Sequence, residues 1–89
     1  MLLTSSDESE KRKLAAWNKA LHVIGYDPAN YRKDRFGSWV AFHEYGKTTA
    51  YGWEIDHIWP LGRGGLLAQS NEAALHWQNN RAKSDRFVG

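Results

Sequence analysis

The apolar positions in the first third of the chain recur at steps of three and four residues, which is the spacing of one face of a helix. This spacing holds for Leu14, Trp17, Ala20, Leu21 and Ile24. A serine followed by acidic residues precedes the pattern at 6–10 and is typical of a helix start. Gly25 follows the pattern and is typical of a helix end. The sequence therefore predicts an N-terminal helix over about residues 6–25.

The opposite face of this predicted helix is basic. It carries Lys11, Arg12, Lys13 and Lys19. A charge run on a helix usually faces solvent, so a solvated surface is favoured over a contact with DNA for these side chains.

Three short apolar segments in the remainder predict strands, at 39–42, 53–58 and 66–69. Three glycines at 62–65 favour a loop between the second and the third segment. A polar connector over 26–37 precedes the first segment. The second and third segments therefore predict a hairpin closed by a glycine-rich loop.

The end of the chain predicts a second helix. Ser70 or Asn71 is its predicted cap, Glu72 lies in its first turn, and it extends to about residue 85. The predicted class is therefore α+β, with an N-terminal helix and an aromatic-rich cover beside the C-terminal elements. A length of 89 residues fits one domain, residues 1–89, and is too short for two.

Composition narrows the function classes. Twelve aromatic residues, five of them Trp, favour a globular core, and Trp53 and Trp59 are expected in it rather than stacked on bases. The absence of Cys excludes disulfides and thiolate-bound zinc. No segment resembles a signal peptide or a membrane span, so a cytoplasmic protein without a membrane partner is expected. A net charge of +2 is compatible with DNA as the partner.

Four polar residues of the C-terminal half carry candidate chemistry. Asp56 and His57 are adjacent at a predicted strand end, Asn71 opens the predicted helix, and Asn80 follows nine residues later. Imidazole suits a general base, and carboxylate and amide oxygens suit a hard divalent ion. Neighbouring strand residues point to opposite sides, so Asp56 and His57 would approach one phosphate from two directions. Taken singly, a packed histidine and a helix-capping asparagine are the ordinary interpretations.

The spacing of these residues resembles the signature of the HNH nucleases, E-x-D-H-x-x-P, G-G, N and N-x-x-K. The chain has the first element at 54–60, the glycine pair at 64–65, the central asparagine at 71 and the last element at 80–83. The resemblance covers about residues 51–86. The ending N-R-x-K-S-D is similar to that in the nuclease domain of CRISPR effector proteins.

Membership of this family would imply a ββα-metal (His-Me finger) core that holds one divalent ion between strand and helix. It implies His57 as the general base and Asp56 and Asn80 as metal ligands. It also implies that Asn71 holds the loop and so orients the histidine. The implied activity is hydrolysis of DNA phosphodiester bonds to 5′-phosphate and 3′-hydroxyl ends. The small size of the chain favours low sequence specificity or specificity supplied by a partner. One site cuts one strand, so a monomer would nick DNA.

Position 80 departs from the family name, because many members have histidine where this chain has Asn80. An amide oxygen is a harder ligand than imidazole, which favours Mg²⁺ or Mn²⁺ over Zn²⁺ as the working ion, with Zn²⁺ as an alternative occupant. A structural zinc is not expected, because His76 and Asn79 stand where some members have Cys.

Indirect roles are predicted for Glu54 and His76. Glu54 is expected on the same side of the strand as Asp56, where it would order a metal-bound water or form a salt bridge. His76 is placed one helical turn before Asn80, where it would support a metal ligand or contact phosphate. Burial against Trp77 or the sheet is equally compatible with the pattern. The candidates for DNA phosphate contacts are Arg63, Arg81, Lys83 and Arg86.

Two other classes of function compete with the enzyme. The first is a non-catalytic DNA-binding module that retains the HNH fold, although binding alone would need none of Asp56, His57 and Asn80. The second is a structural metal domain, which the lack of Cys disfavours. Residues 31–37 also resemble segments that precede the motif in compact bacterial and phage HNH proteins, and no catalytic role is assigned to them. Action as a dimer or within a larger complex stays open.

Overall fold

The computed structural model describes the backbone of residues 5–87 and the side chains of residues 7–83. In this part of the chain two helices and four strands follow the order α1 (Ser5–Trp17), β1 (Tyr31–Lys33), β2 (Trp39–Ala41), β3 (Trp53–His57), β4 (Glu72–His76) and α2 (Trp77–Phe87). Short 3-10 turns occur at Phe42–Glu44, Leu61–Arg63 and Gln69–Asn71. The predicted α+β class is confirmed.

The strands form two small antiparallel sheets. β1 pairs with β2, so that Arg32 lies opposite Val40. β3 pairs with β4, so that Asp56 lies opposite Ala73 and His57 opposite Glu72. The predicted strand at 53–58 is thus confirmed as β3, and its partner is the segment directly before α2.

The core lies where α1 packs on the β3–β4 sheet. Trp17 of α1 and Trp53 of β3 are 1% and 0% exposed, and their ring centroids are 5.2 Å apart. α2 packs against the other side of the same sheet. Because helices cover both faces, all five residues of β4 are buried. Burial of the two large aromatic rings makes the β3–β4 sheet a firm support for the polar residues at its far end.

The N-terminal helix is shorter than predicted, and Gly25 does not end it. α1 ends at Trp17, and the guanidinium of Arg32 donates to the carbonyl oxygens of Trp17 and Ala20, both at 3.3 Å. The chain then turns, because Leu21 forms a bridge with Lys33. These contacts satisfy the terminal carbonyls from outside the helix. The predicted apolar face is correspondingly split between buried positions (Trp17, Ala20) and exposed ones (Leu14, Leu21, Ile24).

The elements predicted after the glycine-rich loop are also corrected. No strand forms at 66–69, and residues 72–76 are strand β4 rather than the start of a helix. Asn71 lies in a 3-10 turn and caps no helix. Pairing with β3 satisfies the backbone hydrogen-bonding groups of β4. The predicted helix would instead have satisfied them with hydrogen bonds inside the segment. Only from Trp77 onward is the predicted helix present.

Two surface expectations change as well. Trp53 is in the core as predicted, whereas Trp59 is 53% exposed and is not a core residue. The basic face of α1 is only partly solvated, because Arg12 binds Glu72 and the ammonium of Lys13 lies 5.1 Å from the ring centre of Phe42. Within residues 5–87, neither helix has the length and hydropathy needed to cross a bilayer.

Candidate functional site

Strand β3 distributes its polar side chains between the two helices. Glu54 and Asp56 contact residues of α2, whereas His57 lies beside Glu72, which is bound to α1. This split follows from the alternation of side chains along a strand. Asp56 and His57 therefore project from opposite faces at the same strand end, as the sequence predicts.

The carboxylate of Asp56 is held by two cations. Its side chain is 7% exposed, and its Oδ2 lies 2.7 Å from Nη2 of Arg35. Nζ of Lys83 lies 3.0 Å from Oδ1 and 2.9 Å from Oδ2. A buried carboxylate is stable in its charged form only when such partners replace its water. Lys83, predicted as a phosphate contact, here binds a carboxylate.

Asn80 is bound to Glu54. Its Nδ2 donates to Glu54 Oε1 at 2.9 Å, so its carbonyl oxygen takes no part in that bond. Asn80 and Lys83 are three residues apart on α2 and share the helix face that meets β3. Among the described residues, no group of three or more His, Cys, Asp or Glu side chains converges in a way that would hold a metal ion.

His57 lies beside the carboxylate of Glu72, which is bound to Arg12. Its Nε2 lies 3.4 Å from Glu72 Oε2, is buried, and has no hydrogen-bond partner among the described residues. The His57 side chain as a whole is 22% exposed, so other ring atoms reach the surface. Glu72 in turn accepts from Arg12, at 2.8 Å from Nε and 2.6 Å from Nη2. The series Arg12, Glu72, His57 thus runs from α1 to the end of β3.

The hydrogen bond from Arg12 lowers the pKa of the Glu72 carboxyl below its ordinary value. Desolvation by burial opposes this effect, and the charges of Arg12 and Lys19 add to it. The same bond raises the pKa of Arg12. Glu72 is therefore anionic at neutral pH and presents a negative charge to the imidazole of His57. Electrostatic attraction and burial together fix the ring on that side.

Asn71 holds the loop that follows His57. Its Oδ1 accepts from the backbone N–H of Trp59 at 2.8 Å, and its Nδ2 donates to the carbonyls of Trp59 and Leu66 at 2.9 and 3.0 Å. Its backbone carbonyl accepts from Ile58 N at 2.7 Å. Gly65 completes this tight loop, because a Cβ there would lie 1.9 Å from the carbonyl oxygen of Trp59. The two residues after His57 are thereby fixed by one residue, Ile58 through the backbone of Asn71 and Trp59 through its side chain.

The remaining predicted residues are dispersed. His76 ends β4 instead of lying on the helix, and its Nε2 lies 2.9 Å from the carbonyl of Ala50, so the prediction that it shares a helical face with Asn80 is wrong. Arg81 is exposed and its guanidinium lies 4.8 Å from the ring centre of Trp77. Arg63 is exposed on the loop. Arg86 belongs to α2, and its side chain lies outside the described residues.

Three residues that contact Asp56 or lie beside His57 and its carboxylate partner were not predicted as site residues from the sequence. Arg35 lay in a polar connector, Glu72 was placed in a helical turn, and Arg12 was assigned to a solvated face. The register of β3 and β4 is what sets Glu72 opposite His57. For Arg35, the indication available in the sequence was its position next to Asp34 inside the segment 31–37.

The lowered pKa of Glu72 predicts a pH-dependent contribution to stability. A carboxyl group whose pKa is lower in the folded state stabilises the fold above its ordinary pKa, and this contribution is lost as the pH falls through the lowered value. We expect Glu72→Gln to reduce the free energy of unfolding by about 1 kcal/mol at neutral pH, a modest value because Arg12 is half-exposed. In acid the loss should shrink as the pH falls through the lowered pKa of Glu72, since the carboxyl then becomes neutral in the parent as well.

Urea unfolding at neutral pH and in acid measures this difference in stability. Glu10→Gln is the matched control, because Glu10 also pairs with a basic residue but its side chain is 69% exposed. It should change stability little at either pH. An equal loss for Glu72→Gln in acid and at neutrality would show that the ion pair with Arg12 does not stabilise the fold.

Comparison of the chain with protein-family models, with curated proteins and with solved structures found no significant match.

Proposed function

We propose that the protein is a metal-dependent DNA endonuclease of the HNH type, with His57 as the general base. The observation that carries the proposal is the end of β3, where a buried carboxylate and an imidazole project from opposite faces of one strand. The imidazole is braced by an anionic Glu72, and the loop beyond it is held by Asn71. These are the parts that water activation beside a bound phosphate requires.

The order of elements supports this proposal. β3, β4 and α2 follow one another as strand, strand and helix, and α2 packs on the face of β3 that carries Asp56. A ββα-metal core has the same order. Asn71 holds the loop after His57, which is the part that the family resemblance assigns to it.

The surroundings of His57 favour one tautomer. An anionic carboxylate 3.4 Å from Nε2 favours the proton on that nitrogen, because an N–H group is electrostatically favoured over a lone pair beside a negative charge. Nδ1 is left with the lone pair that would accept a proton from water. Nε2 is buried and so would not meet a water molecule. His57 would therefore act through Nδ1, with Glu72 and Arg12 as positioning residues.

The residues around Asp56 fit a hard divalent ion. Asp56 supplies a carboxylate, Asn80 an amide oxygen, and the backbone carbonyls of His57 and Ile58 lie close to the same carboxylate, within reach of the Lys83 ammonium. Mg²⁺ is commonly held by one or two carboxylates together with water and substrate phosphate, so a small set of protein ligands suffices. When bound, such an ion would neutralise charge on the phosphate and on the leaving oxygen.

A non-catalytic DNA-binding module is the second candidate, and one observation favours it. Asp56 already has two cationic partners, Arg35 and Lys83, so its charge is balanced without a metal ion. A domain that only binds DNA would keep these ion pairs. The two candidates differ in whether divalent ions cause strand cleavage.

Nicking of supercoiled plasmid tests the proposal. We expect open-circular product with Mg²⁺ or Mn²⁺ and none with EDTA, because the ion stabilises charge that develops during cleavage. Asp56→Asn should reduce the rate by at least about a hundredfold, since the amide supplies neither the charge nor both oxygens of the carboxylate. Asp27→Asn is the matched control, because Asp27 lies in an exposed turn and accepts from Ala29 N.

Binding of a labelled duplex should be followed in the same preparations. Binding without nicking under every metal condition would exclude the nuclease and leave the DNA-binding module. Nicking that is equal with EDTA and with Mg²⁺ would contradict metal dependence.

A further inference from the structure

The ammonium of Lys83 occupies a cage of oxygen atoms at the end of β3. Its Nζ lies 3.0 and 2.9 Å from the two carboxylate oxygens of Asp56 and 3.2 Å from the carbonyl oxygen of Ile58. It also donates to the carbonyl oxygen of His57. The side chain is only 12% exposed. Four oxygen atoms, one pair of them anionic, thus surround a single positive charge.

This cage has the composition of a site for a hard cation. Carboxylate and backbone carbonyl oxygens are the donors that Mg²⁺, Mn²⁺ and Ca²⁺ prefer. Asp56 is 7% exposed, and Lys83 engages both of its oxygens, so the ammonium stands where an ion would meet them. The Lys83 ammonium and a divalent ion cannot both bind the Asp56 carboxylate at close range without strong repulsion between the two positive charges.

We infer that Lys83 competes with the divalent ion for Asp56, so that ion binding displaces its ammonium from the oxygen cage. This inference rests on the proposed function, because it takes Asp56 as a ligand of the ion. It assigns Lys83 to the control of ion affinity, and the phosphate contact predicted from the sequence becomes available only after the ammonium is released.

The geometry points to Lys83 rather than Arg35 as the competitor. Arg35 touches only Oδ2 of Asp56, and its side chain is 31% exposed. Lys83 reaches both carboxylate oxygens and the two carbonyls through a flexible four-carbon chain. Arg35 can therefore keep its single contact while Lys83 withdraws. An ammonium on such a chain reorients at lower cost than a guanidinium fixed by its planar geometry.

Lys83→Met tests the inference, because it removes the charge while keeping most of the chain length. Mn²⁺ binding to the DNA-free protein can be followed through the loss of the free-ion signal in electron paramagnetic resonance. We expect the variant to bind Mn²⁺ about tenfold more tightly than the parent, which corresponds to removal of one partly buried competing ion pair. Lys47→Met is the matched control, since Lys47 is an exposed lysine that pairs with Glu44, and it should bind as the parent does.

Asp56→Asn separates this inference from the proposed function. If Asp56→Asn weakens Mn²⁺ binding while Lys83→Met leaves it unchanged or weaker, competition by Lys83 is overturned and the ion site stands. If Asp56→Asn leaves binding unchanged, the ion is not held by Asp56, and the inference and the ligand assignment fail together. Plasmid nicking by the parent tests the nuclease itself independently of both results.

A measurement on the unaltered protein covers the case in which Lys83→Met does not fold. Amine acetylation followed by peptide mass spectrometry reports the accessibility of each lysine. Saturating Mg²⁺ should speed labelling of Lys83 severalfold and leave Lys47 unchanged. Labelling of Lys83 that is equally slow with and without Mg²⁺ would overturn the displacement.

Discussion

Replacement of His57 by alanine should reduce DNA cleavage by about 10²–10⁴-fold, the usual contribution of a positioned general base. DNA binding should persist, because the proposed phosphate contacts come from other side chains. The fold should also persist, since Glu72 keeps its hydrogen bond to Arg12 when the imidazole is removed. The loss should therefore appear in the rate of nicking and not in the affinity for DNA.

Two measurements check this expectation on the same samples. Plasmid nicking in Mg²⁺ gives the rate, and anisotropy of a labelled duplex in Ca²⁺ gives the affinity. His22→Ala is the matched control, because His22 is an exposed histidine outside the β3–β4 sheet. Unchanged nicking by His57→Ala would remove the imidazole from the mechanism, whatever the metal dependence of the parent.

Glu72→Gln extends the same test to the positioning of the imidazole. The amide can still lie beside Nε2, but it carries no charge with which to favour the proton on that nitrogen. The expected loss of rate is therefore smaller than that of His57→Ala, and the pH dependence of cleavage should change along with it. A purely structural role for Glu72 would alter stability and leave the pH profile of the rate in place.

The placement of the side chains at the end of β3 was predictable because it depends on local spacing. Adjacent residues of a strand project from opposite faces, so Asp56 and His57 are separated by the sheet in any register. The loop function of Asn71 was likewise predicted by the motif. Neither inference requires knowledge of which strand lies beside β3.

Strand β4 was not predictable on the same basis. Glu, Ala and Leu at 72–75 favour a helix, and the segment shows no alternation of apolar and polar residues. Alternation is absent because α1 covers one face and α2 the other, so every residue is buried. Pairing with β3 overrides the local preference. The position of Glu72 opposite His57 follows from that pairing alone.

Contacts across long sequence separations account for the other differences. Arg35 reaches Asp56 from 21 residues away, and Arg12 reaches Glu72 from 60 residues away. Such partners depend on how distant parts of the chain fold together, for example through the bridge between Leu21 and Lys33, and local sequence patterns do not report this. Asp34 makes further contacts of this kind, and the sequence marked it only as part of a polar stretch.

Asp34 joins the β1–β2 turn to the start of α2. Its side chain is fully buried, and Oδ1 accepts from the backbone N–H groups of Phe36 and Ser38 at 3.0 and 2.9 Å. Oδ2 accepts from His76 N at 3.0 Å and from Asn79 Nδ2 at 2.9 Å. One carboxylate therefore satisfies four donors from two distant parts of the chain.

Asp34→Ala should lower the free energy of unfolding by about 3–5 kcal/mol, because it leaves several buried donors without an acceptor. Domains of this size commonly have only about 4–13 kcal/mol of stability, so a substantial unfolded fraction is expected. Urea unfolding measures the change. Asp27→Ala is the matched control, since Asp27 accepts a single exposed hydrogen bond from Ala29 N and should cost about 1 kcal/mol or less.

Asp34→Asn distinguishes the hydrogen bonds from the burial of a charge. The amide keeps one acceptor oxygen but turns an NH₂ group toward two of the four donors, so an intermediate loss is expected. Equal stability of Asp34→Ala and the parent would show that these donors find other partners.

Because Asp34 fixes the first turn of α2, its loss should also disturb Asn80 and Lys83 in the folded fraction. Mn²⁺ affinity per folded molecule should then fall together with stability, whereas Asp27→Ala should leave both nearly unchanged.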